Sequence, residues 1–303
     1  MLNAIEIRDL TKTYGTRRGL TGLTLDVRQG EVFGYLGPNG AGKSTTIRVL
    51  LDLIRPTGGS VRVLGLDPRH DGRELRRRIG YLAGDFVVDG RQSVRECLRF
   101  LARLSGGVPV SRIDELADRL GLDQTATIKN LSKGNRQKVG LVQAFMHTPE
   151  LLILDEPTSG LDPLLQQTFL DLVTEAARNG QTVFMSSHIM DEVEAVADRI
   201  AILRDGRLVA LDTVADLRAA AVRRIEIGFA APVSLDQFRG LAGLTEPTLD
   251  DTGTILRARL TGTPDAVLKI AAQHTVTSLH TTDPHLDEIF HTQYADAAPR
   301  DAA

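Results

Sequence analysis

The nine-residue stretch GPNGAGKST, residues 37–45, constrains the fold of this chain more than any other part of its sequence. It follows an apolar run that is typical of a buried strand, and it opens a pattern that predicts a helix. In that context, glycines let the backbone wrap closely round phosphate groups, with its N–H groups pointing inward. Lys43 would reach the β- and γ-phosphates of a nucleotide, and the Ser44 hydroxyl would coordinate Mg²⁺.

The alternative interpretation of this stretch is a glycine-rich turn that binds nothing. Because the motif and its strand–loop–helix context agree, we predict a phosphate-binding loop (P-loop) instead. The predicted nucleotide-binding residues in and directly after it are Gly37, Pro38, Asn39, Gly40, Ala41, Gly42, Lys43, Ser44, Thr45 and Thr46.

The length and composition of the chain are those of an ordinary soluble protein, and 303 residues favour two domains. The net charge of −3 gives no reason to expect a nucleic-acid partner. A single cysteine, Cys97, excludes an internal disulfide and fits a reducing compartment. We see neither a secretory signal nor an apolar run near the roughly 20 residues that a membrane-spanning helix needs. Any membrane role is therefore expected to come through a partner.

Strand-like and helix-like segments alternate up to about Leu211, which predicts an α/β domain with a largely parallel sheet. EVFGYLG (residues 31–37) reads as a buried strand, and LLILDE (residues 151–156) is continuously apolar before its acids, as in a central parallel strand. Between Arg91 and Gln124 the strand patterns stop and two helical patterns follow one another. We therefore expect a helical insertion in the sheet.

The sequence changes in character near residue 218. From RRIEIGFA to TVTSLHTT its segments read as strand, helix, strand, strand, helix, strand, the order of a ferredoxin-like α+β unit. LDEIFHTQY is predicted to form a closing helix. The expected regions are 1–217 for the α/β domain, with a helical subdomain at about 88–147, then 218–294 for the small α+β domain and 295–303 for a disordered tail.

Two adjacent acids end the apolar strand LLILDE, at the edge where α/β sheets present their ligands. Asp155 is suited to hold Mg²⁺ through water, and Glu156 to polarise an attacking water. The alternative interpretation of these two acids is a solvated turn. Because the chain also has a phosphate loop, we favour the roles in metal binding and as a base. His188, just after TVFMSS, ends another strand and could contact the γ-phosphate, although a lone histidine at a strand end is usually structural.

The stretch LSKGNRQKV, residues 131–139, reads as the start of a helix with Ser132 as its N-cap and only polar side chains in its first turns. A helix N-terminus built from serine and glycine exposes backbone N–H groups, which bind anions. The stretch therefore raises the question of which anion it meets, since a phosphate loop is already present elsewhere.

The motifs GPNGAGKST, LSKGNRQKV, LLILDEPTSGLDP and SSH, in this order, resemble those of the ATP-binding subunit of an ABC transporter. The resemblance covers about residues 4–217 and implies a P-loop NTPase fold of the ABC ATPase type that hydrolyses ATP with Mg²⁺, using Lys43, Glu156 and His188 in catalysis and Ser44 and Asp155 at the metal. It also implies a head-to-tail pair of such domains, in which each signature helix caps the γ-phosphate on the opposite P-loop. Since this chain has one P-loop and one signature, we expect a homodimer.

The resemblance also assigns residues outside the P-loop. Tyr14, in TKTYG, would stack on adenine, with an exposed loop tyrosine as the alternative, and Asp162, in SGLD, would bridge the two sites. The signature residues that would act on the opposite subunit are Leu131, Ser132, Lys133, Gly134 and Asn135.

Two positions depart from the pattern of the family. In the signature, Lys133 and Asn135 replace a glycine and a glutamine, and we expect no loss of ATP capping from the added charge. In IGYLAGDF (residues 79–86), the position of the usual glutamine that touches Mg²⁺ and water is Gly84. Either Asp85 substitutes for that glutamine or the contact is absent.

Further features bear on the transporter class. DPHLDEIF, near the C-terminus, resembles the ending of ATPase subunits that serve ABC-2 type exporters of drugs and antibiotics. We therefore expect a peripheral protein at the cytoplasmic face of the cell membrane that powers an ABC-2 type permease. An importer ATPase, or one for lipid or polysaccharide export, remains the alternative. ATPases of ribosome or DNA-repair type usually have two P-loops, long coiled coils or DNA-binding insertions, which are not seen here.

One helix pattern suggests where a permease would dock. The segment SVRECLRFLARL places apolar residues on one face, with ordinary core spacing. Arginines recur every four residues on another face, namely Arg91, Arg95, Arg99 and Arg103. Most arginine rows are simply solvated, but the resemblance places permease docking in this helical insertion.

Overall fold

The computed structural model describes residues 2–15, 17–88, 90–220 and 223–282 of the chain. The chain divides into two compact units, Met1–Leu211 and Asp212–Ala303. The strands of the first unit are β1 (Asn3–Tyr14), β2 (Arg17–Arg28), β3 (Val32–Leu36), β4 (Gly58–Val63), β5 (Ile79–Leu82), β6 (Leu151–Asp155), β7 (Thr182–Ser187), β8 (Arg199–Arg204) and β9 (Arg207–Thr213), the last of which runs just past the division. Its helices are α1 (Lys43–Leu50), α2 (Gly72–Arg78), α3 (Val94–Leu104), α4 (Val110–Arg119), α5 (Lys133–Phe145), α6 (Pro163–Arg178) and α7 (Met190–Glu194).

The strands of the first unit form two sheets. The larger sheet has the order β5-β6-β7-β3-β8-β9, and its pairs β5–β6, β6–β7, β7–β3 and β3–β8 are parallel. The smaller sheet is antiparallel, with the order β2-β1-β4. Every residue of β3 and β6 is buried, because both faces of a parallel sheet are covered. The predicted α/β fold is confirmed.

Strand order brings three chain-distant segments to one edge of the larger sheet. β3, which leads into residues 37–45, lies beside β7, and β7 lies beside β6. Leu36 at the end of β3 pairs with Ser187, and Asp155 at the end of β6 pairs with Ser186. Since parallel strands end at the same edge, the segments that follow them meet there.

The insertion between β5 and β6 is helical, as expected. Helix α3 begins with a capping box, in which Ser93 accepts from Glu96 N and the Glu96 carboxylate accepts from Ser93 N. Helix α5 begins after Ser132, whose hydroxyl oxygen accepts a hydrogen bond from Asn135 N at 3.2 Å. This is the N-cap that the sequence predicts.

The second unit is a ferredoxin-like sheet. After α8 (Val214–Ala220) come β10 (Arg223–Phe229), β11 (Leu244–Leu249), β12 (Ile255–Leu260), α9 (Asp265–Ala271) and β13 (Val276–Thr282), in the antiparallel order β11-β12-β10-β13. The helix expected in SLDQFRG is only a 3₁₀ turn, Leu235–Gln237. Few residues separate its N-cap Ser234 from Gly240, whose φ of +72° leaves the helical region, so a longer helix has no room.

Some sequence predictions concern residues that the structure does not describe. The closing helix LDEIFHTQY, the ending DPHLDEIF and the tail 295–303 all lie outside the described residues. Within the described part of the chain, every helix is too short or too polar to cross a membrane.

Candidate functional site

The residues 37–45 form a tight loop between β3 and the start of α1. Gly37 and Gly42 have φ values of +158° and +109°. A Cβ atom would lie 2.5 Å from Leu203 O at Gly37 and 2.7 Å from Leu20 Cδ2 at Gly42, so neither position has room for a side chain. The loop borders a cavity of about 450 Å³. The residues lining this cavity are Tyr14, Gly19, Pro38, Asn39, Gly40, Gly42, Lys43, Ser44, Thr45, Arg48 and Glu156.

Lys43 is the first residue of helix α1, and its side chain extends back along the loop. Its Nζ atom donates to Gly37 O at 2.6 Å, and it forms an ion pair with Glu156 Oε1 at 3.2 Å. Only 6% of the Lys43 side chain is exposed. A nearly buried ammonium group at the cavity is a cation that a polyphosphate could bind in competition with Glu156.

Three of the predicted loop residues are not among those that line the cavity. Gly37 and Ala41 form the turn itself, and Thr46 is fully buried. The Thr46 hydroxyl lies 2.9 Å from the hydroxyl of Tyr35, which is also buried. Burial raises the pKa of Tyr35, so its hydroxyl stays protonated and available for this hydrogen bond. Thr46 therefore anchors α1 to the core rather than facing the cavity.

Tyr14 stands at the rim of the cavity, with 46% of its surface exposed. One edge of its ring lies against Gly19, where an added Cβ would be 2.9 Å from Tyr14 Cε2. The ammonium of Lys12 lies 5.1 Å from the ring centroid. A ring that is held in place yet half exposed is suited to stack on a planar base.

Asp155 and Glu156 occupy different surroundings although they are adjacent. Asp155 is buried at the end of β6, and Ser186 Oγ donates to its Oδ1 at 2.5 Å. Gly84 lies against the other oxygen, since an added Cβ there would be 3.5 Å from Asp155 Oδ2. Asp85 points to solvent, where the described residues offer it no hydrogen bond or ion pair.

Glu156 reaches the cavity through an unusual backbone conformation. Its φ is +48°, in the left-handed region that residues with side chains rarely adopt. Its Oε1 pairs with Lys43, and its Oε2 lies 2.6 Å from Nδ1 of His188. The sheet order thus brings Lys43, Glu156 and His188, which follow three different strands, into one constellation.

Two residues at this edge carry oxygen donors of the kind that Mg²⁺ takes, Ser44 in the cavity lining and Asp155 just outside it. Ser44 lines the cavity with a hydroxyl, and Asp155 supplies a carboxylate whose Oδ2 is not taken by Ser186. A hydroxyl and a carboxylate, with water completing the shell, are the donors that Mg²⁺ prefers. These two residues would hold the ion.

The signature residues lie apart from this cavity. As far as the structure describes the chain, residues 131–135 contribute nothing to its lining. Leu131 is buried, Lys133 Nζ donates to Ser159 Oγ at 3.1 Å, and Gly134 faces Gly160, whose carbonyl oxygen would be 2.7 Å from an added Cβ. None of the five therefore lines the nucleotide cavity of its own chain.

Asp162 caps helix α6. Its Oδ1 accepts a hydrogen bond from Leu165 N at 3.0 Å, and Pro163 follows as the first helical residue. The side chain of Asp162 therefore has a structural role as the N-cap of α6. The bridging role between two sites is implied by the resemblance alone.

Sequence reasoning missed four residues at or beside the site. Arg48 could have been found, because it lies one helical turn beyond Ser44. Gly19, Ser186 and Gln137 give no local signal, since each reaches the site only through long-range packing. Gln137, on α5, donates to Pro157 O at 2.9 Å.

Comparisons with known proteins agree with this geometry. The family model described as ABC transporter matches residues 20–159. The chain is 38% identical over 211 residues to the bacitracin transport ATP-binding protein BcrA of Bacillus licheniformis, which covers 69% of each protein. It is 34% identical over 298 residues to the daunorubicin resistance ATP-binding protein DrrA3 of Streptomyces coeruleorubidus, covering 95% of this chain and 94% of that relative.

Two solved structures have the same fold as the first unit. One is the ATP-binding subunit of an ABC transporter, with 32% identity and a TM-score of 0.66 over 71% of this chain and 92% of that chain. The other is the dimeric structure of a bacterial ABC transporter cassette, with 25% identity and a TM-score of 0.63 over 69% of this chain and 98% of that chain.

Proposed function

The chain belongs to the ABC transporter family as an ATP-binding, ATP-hydrolysing subunit, and from this premise we propose that it powers a separate membrane permease for the export of a hydrophobic compound. The observation that carries the proposal is the constellation of Lys43, Glu156 and His188 beside the phosphate loop. It unites a phosphate-binding cation with a carboxylate that can act as a base.

We propose the following division of roles at the cavity. Tyr14 stacks on adenine, and backbone N–H groups of the loop hold the phosphates. The phosphates compete with Glu156 for the Lys43 ammonium, which frees Glu156 Oε1 to accept a proton from the attacking water. His188 holds the other oxygen of Glu156 and so fixes the direction of the base. A bound Mg²⁺, held by Ser44 and through water by Asp155, would neutralise charge on the phosphates.

The position of the signature residues supports a head-to-tail homodimer. Ser132 caps the start of α5, and this motif lies apart from the cavity of its own chain. In a two-fold dimer, each signature would cap the γ-phosphate bound to the other chain. A dimeric cassette among the structural neighbours supports this arrangement. Closure on ATP and reopening after hydrolysis would then be a shift between two dimer populations.

Export of a hydrophobic compound is supported by the relatives. BcrA is named for bacitracin transport and DrrA3 for daunorubicin resistance, and the alignment with DrrA3 extends through the second unit. Import, and export of lipid or polysaccharide, are the alternatives. The membrane protein that co-purifies with the chain distinguishes them: a six-helix ABC-2 type permease supports export, and a permease that depends on a substrate-binding protein contradicts it.

We expect the Glu156→Gln variant to bind ATP but to lose turnover by about 10²-fold or more, because an amide cannot accept the proton of the attacking water. ATP hydrolysis and light scattering measure the two effects, and an ATP-trapped dimer should accumulate. Glu150→Gln is the matched control, since Glu150 lies before the start of β6 and pairs with Arg78 instead. Hydrolysis that persists in Glu156→Gln contradicts the assigned base.

Permease docking is proposed at helix α3. Arg95, Arg99 and Arg103 are exposed there, beside Phe100 and Leu104, which are 54% and 65% exposed. A surface that combines cations with apolar side chains fits a protein partner better than it fits water.

We expect the double variant Arg95→Glu/Arg99→Glu to reduce co-purification of the permease several-fold, because it reverses the charge of this surface. The control is Arg73→Glu/Arg77→Glu, an exposed pair with the same spacing on α2. Equal recovery of the permease with both double variants would rule out α3 as the docking site.

A further inference from the structure

Helix α5 is bonded to the segment that carries the catalytic glutamate. Gln137 lies one turn into this helix and is 3% exposed. Its Nε2 donates to Pro157 O at 2.9 Å and approaches Glu156 O at 3.4 Å. At the start of the helix, Lys133 donates to Ser159 Oγ. The first turns of α5 therefore hold residues 156–160 from one side.

The backbone of Glu156 is held from the other side by strand β7. Glu156 N donates to Ser186 O and to Ser186 Oγ, both at 3.2 Å. A non-glycine residue with φ of +48° persists only where its surroundings fix it on several sides. Gln137 and Ser186 both bond this stretch of backbone, next to the carboxylate that contacts Lys43 and His188.

We propose that Gln137 is a positioning residue for Glu156, which joins the signature helix to the catalytic base of the same chain. Without its amide donor, two carbonyl groups in a buried turn lose a partner and the turn relaxes toward an ordinary backbone conformation. The carboxylate then leaves the place where it meets the attacking water. The proposal rests on the assignment of Glu156 as the base.

In the head-to-tail dimer, the same bond has a second consequence. The N-terminus of α5 meets the nucleotide on the partner subunit, whereas Glu156 acts on the nucleotide of its own chain. Gln137 lies between the two. Correct docking of the signature on one nucleotide therefore supports the position of the base at the other.

The test uses the full chain with the substitution Gln137→Met, which keeps the length of the side chain and removes the donor. Gln143→Met is the matched control on the same helix, because the structure records no side-chain hydrogen bond for Gln143 among the residues it describes. Gln137→Leu is a second variant, with an apolar side chain that cannot donate to the two carbonyls.

We expect kcat for ATP hydrolysis to fall by about tenfold or more in Gln137→Met and in Gln137→Leu, since small displacements of a catalytic group have large effects on rate. The KM for ATP should stay within about twofold of the parent value, because no residue of the phosphate loop changes. Gln143→Met should keep both parameters. Unfolded protein would also lower the apparent kcat at constant KM, so the rate is expressed per ATP-binding site, counted by nucleotide titration of the same sample. A kcat per ATP-binding site equal to that of the parent contradicts the proposal.

Dimer formation gives a readout that does not depend on turnover. The variant Gln137→Met/Glu156→Gln should still form an ATP-dependent dimer in light scattering, as Glu156→Gln does. Loss of that dimer would mean that Gln137 acts on ATP capping and would overturn a role through the base. If Glu156→Gln itself keeps turnover, the proposed function fails. If it is inactive and Gln137→Met is as fast as the parent, only the present inference fails.

Discussion

The two acids at the end of β6 are held by different kinds of partner. Asp155 is buried and takes a hydrogen bond from a neutral hydroxyl, Ser186 Oγ, whereas Glu156 is partly exposed and contacts the ammonium of Lys43 and the imidazole of His188. Ser186 also accepts from Glu156 N. A single serine on the neighbouring strand thus fixes both the carboxylate assigned to the metal and the backbone of the assigned base.

We expect Ser186→Ala to lower the free energy of unfolding by about 2 kcal/mol, because it removes a buried hydrogen bond to a charged group. It should also reduce kcat, since Asp155 and Glu156 both lose a constraint. Urea unfolding and ATP hydrolysis measure these effects. Thr182→Val, at the other end of β7, removes a buried hydroxyl that accepts from Gly30 N instead and should leave kcat unchanged. Equal kcat for Ser186→Ala and the parent would contradict this role.

At the scale of elements, α5 connects the signature at its start with strand β5 just beyond its end. His147 follows the helix, and its Nε2 lies 3.2 Å from Ile79 O in β5. Its Nδ1 is buried and finds no hydrogen-bond partner among the described residues. Burial lowers the pKa of His147, so the folded chain keeps this imidazole neutral at a pH where the unfolded chain would protonate it.

This burial predicts a loss of stability in acid. Below the ordinary histidine pKa of about 6.5, the unfolded chain binds a proton that the folded chain does not, so stability falls as the pH decreases. His147→Gln removes the titrating group and should therefore lose less Tm than the parent between pH 7.5 and 5.5, with a difference on the order of 2 °C. The exposed His70 supplies the control variant His70→Gln, which should behave as the parent does. Identical pH dependence in all three proteins would exclude His147 as the cause.

On the scale of the molecule, each compact unit has a core of its own. The core of the second unit is formed by residues within 225–271, with Ile227, Phe238 and Leu256 fully buried. The core of the first unit joins the antiparallel sheet to helix α1 and the larger sheet. Separate cores favour independent folding, since each unit has buried apolar side chains that pack against one another within that unit.

A shortened chain that ends at Thr213, the last residue of β9, is therefore expected to fold. It should bind a fluorescent ATP analogue with a Kd within about threefold of that of the full chain, because every cavity-lining residue precedes Thr213. Titration of the analogue and thermal unfolding check this. Aggregation of the shortened chain, or the loss of binding in a folded one, would show that the second unit is needed for the first.

The amino-acid sequence alone determined the features that depend on neighbouring residues. The glycines of residues 37–45, the buried strand that ends in Asp155 and Glu156, and the N-cap at Ser132 all follow from local turn chemistry and from the period of apolar residues. These features specified the α/β fold, the phosphate loop and the family, because each is recognised within a window of about ten residues.

Only the tertiary structure decided which distant groups touch. The larger sheet has the order β5-β6-β7-β3-β8-β9, which does not follow the chain, and it alone brings Glu156 between Lys43 and His188. The same order places Ser186 on Asp155, turns Thr46 toward Tyr35 and lets Gln137 reach Pro157. The local sequence pattern around a side chain does not specify which distant residue it will contact. These contacts therefore form only once strands and helices have assembled.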